Sequence, residues 1–74
     1  MLLDLERETD AIAAYDKALV LRPNFAQALF NKGKALGALE RYTEAAAAYE
    51  SALALNPQYE EAKWHLSWVK LVLG

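Results

Sequence analysis

The sequence predicts an all-α fold made of antiparallel helical hairpins, and three observations support this prediction. The phrase YDKALVLRP, from Tyr15 to Pro23, returns as YESALALNP, from Tyr49 to Pro57, 34 positions later. Only three glycines and two prolines occur in the 74 residues, so most of the chain is available for helix. Apolar residues also recur at three- and four-residue spacing, which is typical of one face of a helix.

The period extends well beyond this phrase. A shift of 34 positions aligns residues 2–23 with residues 36–57, and thirteen of these positions are identical in the two copies. The chain is therefore an array of structural repeats, in which no single unit buries its apolar face alone and neighbouring units must stack. We expect one domain, with a partial repeat at residues 1–25, a complete repeat at residues 26–59 and a C-terminal helix at residues 60–74.

Prolines and threonines mark the ends of the predicted helices. Pro23 and Pro57 each end a helix at or before the preceding residue, because proline lacks the backbone N–H and restricts its neighbour. Thr9 and Thr43 stand where helices are expected to start, each followed by an acidic residue that favours the positive end of the helix dipole. These marks predict a leftover turn of helix at residues 2–6, followed by helices at residues 10–21, 25–39, 43–55 and 59–73.

Composition argues against several classes of function. The chain has no cysteine, which excludes disulfides and thiol catalysis and fits a reducing compartment, so a cytoplasmic location is expected. The net charge is −2 without a basic cluster, so nucleic acid is not an expected partner, and a membrane is not expected either. No apolar run approaches the ~20 residues that span a bilayer. The sequence contains no phosphate-binding loop or acid/base pair, and His65 has only Glu61 nearby as a second ligand. We therefore expect no enzyme activity, no cofactor and no metal.

Small and apolar residues at fixed offsets in residues 26–59 carry a family resemblance, and they are Leu29, Gly33, Leu36, Ala45, Tyr49, Ala52 and Pro57. With these residues the sequence resembles the tetratricopeptide repeat family over essentially its whole length. Lys32 departs from the pattern, since the family usually has leucine there. The resemblance implies a right-handed solenoid of about two repeats, the first one truncated. We expect Gly33, Ala45 and Ala52 to be small because helices approach closely there, and Tyr15 and Tyr49 to fill the wider space between hairpins.

The resemblance also implies a function, namely a scaffold that binds a protein or peptide in a concave groove. In the family the first helix of each repeat lines that groove, and the residues at or near groove-facing offsets are Gln27, Phe30, Asn31, Lys34, Glu61, Trp64 and Trp68. Two interpretations of the tryptophans remain open: packing against a neighbouring repeat or chain, or an aromatic platform, together with Phe30, for a peptide. Some family members clamp a carboxylate in the groove. That clamp is not expected here, because Glu61 and His65 stand where basic residues would be needed.

The two ends of the array suggest alternatives to a free binding module. The first repeat keeps little of its first helix, so the helix at residues 10–21 lacks one partner. The last helix is apolar around most of its circumference, which predicts burial on most sides. The chain could therefore be a structural module that forms a homo-oligomer, with a homodimer as the expected form, or a fragment of a larger repeat protein.

Overall fold

A computed structural model of the protein describes residues 5–74, with side chains from residue 7 onward. Within that range the chain forms four helices and no strand, and the helices are α1 (Leu5–Leu21), α2 (Ala26–Ala38), α3 (Tyr42–Leu55) and α4 (Glu60–Leu73). Each helix packs on the next one along the chain, and α2 also touches α4. The predicted all-α solenoid of helical hairpins is confirmed.

The turns after α1 and α3 have the same backbone hydrogen bonds, 34 residues apart. The N–H of Arg22 donates to the carbonyl of Ala18 over 2.8 Å, and the N–H of Asn56 donates to that of Ala52 over 2.9 Å. Both helices end two residues before a proline, at Leu21 and Leu55, as the sequence predicts. The repeat of the sequence is therefore also a repeat of the backbone.

The predicted helix start at Thr9 is wrong, whereas α3 begins one residue before Thr43. Thr9 lies inside α1, because that helix already begins at Leu5; residues 2–4 of the expected leftover turn lie outside the described range. In α3 the helix begins at Tyr42 and no side chain caps it. The Arg41 guanidinium instead donates to both carboxylate oxygens of Glu44, over 3.0 and 2.8 Å. Glu44 thus lies at the positive end of the α3 helix dipole and also binds the side chain of Arg41, the residue before the helix.

The turn between α2 and α3 depends on a left-handed residue. Glu40 has a φ of 62°, the one positive φ outside glycine among residues 5–74. The N–H of Arg41 donates to the carbonyl of Leu36 over 2.9 Å, which is the hydrogen bond of a Schellman motif. Glycine usually occupies this position, because a side chain there costs about 1–2 kcal/mol. The turn therefore carries local strain that the packing of α2 on α3 offsets.

Small residues form the centre of the core, as predicted. Ala45 and Ala52 of α3 are fully buried, and Tyr49 between them is 2% exposed. Gly33 is needed for a more specific reason than helix approach: a Cβ built there would lie 2.5 Å from Cε1 of Tyr49. The residue that excludes a side chain at position 33 is thus the tyrosine ring of α3, which lies against the backbone of α2.

Tyr15 and Tyr49 occupy equivalent positions but differ in burial. Tyr49 is enclosed on two sides, since its ring centre lies 5.8 Å from that of Phe30 in α2 and 5.6 Å from that of His65 in α4. Tyr15 is half-buried, and it borders a concavity shared with α2. The prediction that both rings fill the space between hairpins holds for Tyr49 alone. The reason is that, within residues 5–74, only α2 packs on α1.

Lys32, the departure from the family pattern, has a structural partner. Its ammonium lies 2.6 Å from the carboxylate of Asp16 and links α2 to α1. The lysine side chain is 29% exposed, so its aliphatic part is largely covered while its charged end reaches the surface. The ion pair replaces part of the apolar contact that leucine would make.

Candidate functional site

One face of α4 presents two tryptophans to the surroundings. Trp64 is 70% exposed and Trp68 is 51% exposed, one helical turn apart. Glu61 and His65 lie on the same face, because all four residues follow the three- and four-residue spacing of a helix. Together Glu61, Trp64, His65 and Trp68 line a concavity of about 620 Å³. Three of the predicted groove residues are therefore brought together here.

Buried or half-buried aromatic rings pack against the inner side of this face. Trp68 meets the ring of Tyr42 in α3 edge-on, with the ring centres 5.7 Å apart. The His65 ring stands edge-on to Phe30, at 5.1 Å between centres. Phe30 itself also contacts Tyr59, at 5.0 Å. These contacts pack α4 against α2 and α3, so the exposed tryptophans are carried by a helix of the folded array rather than by a loop.

Phe30 does not have the exposed position that an aromatic platform needs. The platform interpretation groups it with the two tryptophans, but its side chain is only 3% exposed. It is enclosed by Tyr49, Tyr59 and His65, which together bury its ring. Phe30 therefore belongs to the support of the site and not to its surface.

The predicted burial of α4 on most sides is not met within residues 5–74. Only a narrow strip, centred on Ala62 and Val69, is fully buried. A second strip is polar and exposed, formed by Lys63, Ser67 and Lys70. The third strip consists of large apolar side chains that stay exposed, and they are Trp64, Trp68, Leu71 and Val72. This apolar strip is not covered by another helix within residues 5–74.

The other predicted site residues lie elsewhere. Asn31 and Lys34 line a separate concavity of about 310 Å³ between α1 and α2, together with Tyr15 and Glu8. The Lys34 ammonium lies 5.4 Å from the ring centre of Phe30, a cation–aromatic contact. Gln27 is exposed. The seven predicted residues therefore form no single surface.

The charge at the α4 face is negative. Glu61 is the one charged residue among the described residues that line the concavity. Its effect reaches the neighbouring turn: burial raises the pKa of Tyr59 above its usual value, and the negative charge of Glu61 adds to this rise. No group of three potential metal ligands occurs in the described part of the chain. Among the described residues no helix is long and apolar enough to span a bilayer.

Sequence reasoning missed two contributors to this site, His65 and Tyr42. His65 was considered as a metal ligand and as a departure from the carboxylate clamp, yet it lines the concavity and packs on Phe30. Its spacing of four residues from Glu61 places both on one helix face and could have indicated this role. Tyr42 supports Trp68 from another helix. No local pattern in the sequence indicates that contact.

Comparison with known families agrees with the architecture. The tetratricopeptide repeat model matches residues 2–69, which is nearly the whole chain. The chain belongs to the tetratricopeptide repeat family. Repeats of this family generally form non-catalytic scaffolds that mediate interactions between proteins. No curated protein matches this chain.

Proposed function

We propose that this protein is a non-catalytic binding module of the cytoplasm, and that the exposed strip of α4 contacts a peptide segment of a partner protein. One observation carries the proposal: Trp64 is 70% exposed on a packed helix, where it lines a concavity of about 620 Å³. Tryptophan is enriched among the residues that dominate binding energy, because a single indole buries a large apolar area at little entropic cost.

The local structure favours a role of the two tryptophans in binding a partner over a role in stabilising the fold. Trp64 has no aromatic partner among the described residues, and most of its surface is open. Trp68 meets Tyr42 with one edge and keeps 51% of its surface exposed. Exposed side chains of this size contribute little to folding, since the hydrophobic effect stabilises only area removed from water. Their burial by a partner would be favourable.

A displayed library of random peptides tests the proposal. The wild-type chain should select peptides that bind the Trp64→Ala variant at least about 30-fold more weakly, the loss expected for a dominant contact. Leu21→Ala is the matched control, because Leu21 is 83% exposed on α1, away from the concavity. Trp68→Ala should lower the affinity for the selected peptides by a larger factor than it lowers the helix content measured by circular dichroism. Selected peptides that bind the Trp64→Ala variant as well as the wild type would contradict the proposal.

Self-assembly is a second candidate, favoured by apolar side chains next to the tryptophans. Leu71 is 81% exposed and Leu73 is 50% exposed at the end of α4, while Val20 is 80% exposed on α1. An isologous dimer could cover the α4 strip of both copies. Sedimentation over a concentration series tests this candidate. A dimer that Trp68→Ala converts to monomer would support it, and a monomer at high micromolar concentration would exclude it.

A further inference from the structure

The concavity on α4 has the chemistry of a site for a positively charged side chain. Among the described residues its lining consists of two indoles, one imidazole and one carboxylate, without a lysine or arginine. The negative face of an indole attracts a cation, and tryptophan does so more strongly than tyrosine or phenylalanine. The carboxylate of Glu61 adds a full negative charge one turn from Trp64. A basic ligand is therefore complementary to this surface, and an acidic one is not.

The internal repeat supplies an independent observation. Trp64 and Trp68 stand 34 positions after Phe30 and Lys34, so the two pairs occupy equivalent offsets in α2 and α4. In α2 a cation already lies over the aromatic ring, since the Lys34 ammonium is 5.4 Å from the centre of Phe30. In α4 the lysine is replaced by a second tryptophan. The aromatic group is kept, and no cation of the described residues lies over it.

We propose that the α4 concavity binds a basic peptide, with one arginine side chain packed on each of Trp64 and Trp68 and one of the two paired with Glu61. The inference rests on the peptide-binding function proposed above and names the chemistry of the partner. Arginine fits better than lysine, because its planar guanidinium stacks on an indole and can donate two hydrogen bonds to one carboxylate.

Helix and strand dimensions suggest the spacing of a suitable ligand. The two tryptophans are four residues apart on α4, a rise of about 6 Å. Side chains two residues apart on the same side of an extended peptide are separated by about 6.6–6.8 Å. An extended peptide with arginine at two alternate positions can therefore place one side chain at each indole.

Fluorescence titration with three capped peptides tests this inference. The probes share the sequence Gly-Ser-X-Ser-X-Ser-Gly, with arginine, neutral citrulline or glutamate at both X positions. The chain has two tryptophans, and both lie at the site, so intrinsic fluorescence reports directly on binding. The arginine peptide should bind about 2- to 30-fold more tightly than the citrulline peptide, the range expected for a cation over an aromatic ring. The glutamate peptide should bind most weakly.

Two neighbouring glutamates provide a matched pair of variants. Glu61→Gln should lower the affinity for the arginine peptide by up to about 5-fold, as expected for an exposed ion pair. Glu60→Gln should leave it unchanged, because Glu60 is exposed but does not line the concavity. In about 1 M salt, where the Debye length is roughly 3 Å, the difference between the two variants should disappear.

The outcomes separate this inference from the function on which it rests. Equal affinity for the arginine and citrulline peptides, or equal effects of Glu61→Gln and Glu60→Gln, would overturn the proposed basic ligand. The proposed basic ligand is also wrong if none of the three peptides binds while library peptides bind through Trp64. In that case the proposed peptide-binding function stands. If library peptides also fail to depend on Trp64, both proposals are wrong.

Discussion

Replacing Gly33 by alanine is expected to destabilise the fold by forcing two helices apart. The new Cβ would lie 2.5 Å from Cε1 and 2.7 Å from Cδ1 of Tyr49. Carbon atoms in contact prefer a separation of about 3.5–4.0 Å, so this approach is strongly repulsive. The ring has no free direction, because it is 2% exposed and lies between Phe30 and His65. Either α2 must move away from α3 or the core around the ring must rearrange.

The expected magnitude follows from two opposing effects. Overpacking a core costs about 1–3 kcal/mol, while alanine gains about 1 kcal/mol over glycine in a helix. Gly33→Ala should therefore lower the free energy of unfolding by up to about 2 kcal/mol. Gly37→Ala is the matched control, since its nearest non-local atom is the hydroxyl oxygen of Tyr49 at 4.0 Å. That variant should be stabilised by up to about 1 kcal/mol, so the two substitutions should change the free energy of unfolding in opposite directions.

Urea unfolding followed by circular dichroism measures both variants against the wild type. Melting temperatures should change in the same directions, by about 4–8 °C per kcal/mol for a chain of this size. A Gly33→Ala variant that is stabilised to the same extent as Gly37→Ala would refute the reasoning. A second comparison in a Tyr49→Leu background, with sucrose added to keep the variants folded, isolates the ring as the cause. There Gly33→Ala should be neutral or stabilising.

Three further predictions follow from single features of the fold. Glu40→Gly should raise the free energy of unfolding by about 1 kcal/mol in a urea titration, because glycine adopts the φ of 62° without strain; an unchanged midpoint would contradict this. Burial raises the pKa of Tyr49 above 10.0, so the unfolded chain loses that proton first and stability should fall as the pH rises above about 10. Tyr49→Phe should make this loss less steep, and an unchanged pH profile would count against the cause. Asp16→Asn removes the partner of Lys32 at 2.6 Å, and it should cost less than about 1 kcal/mol in low salt and nothing in about 1 M salt.

The candidate site was predicted in part. The exposed tryptophans and Glu61 could be placed on one face from their spacing along a single helix. The position of Phe30 could not, because its burial depends on rings from three other segments of the chain, Tyr49, Tyr59 and His65. The position of Phe30 faces the groove in the family pattern but is covered by other side chains in this protein. Only the contacts between helices reveal that it is covered.

The sequence by itself determined the repeat, the four helices and the ends marked by proline. These features are local or periodic: a proline limits its neighbour wherever it occurs, and a period of 34 residues repeats one set of packing requirements. The same information identified the positions that must be small, including Gly33. It did not identify the tyrosine ring that excludes a side chain there.

The tertiary structure decided what the same residues do in different surroundings. The tripeptide Leu-Glu-Arg occurs at residues 5–7 and again at residues 39–41. The first copy is helical within α1, whereas the second forms the turn after α2, with Glu40 left-handed. Identical local preferences thus give opposite conformations, because the packing of α2 on α3 requires a reversal of the chain at one copy. The difference in burial between Tyr49 and the half-buried Tyr15 has the same physical origin. Enclosure depends on the number of helices that surround a side chain and not on its local sequence.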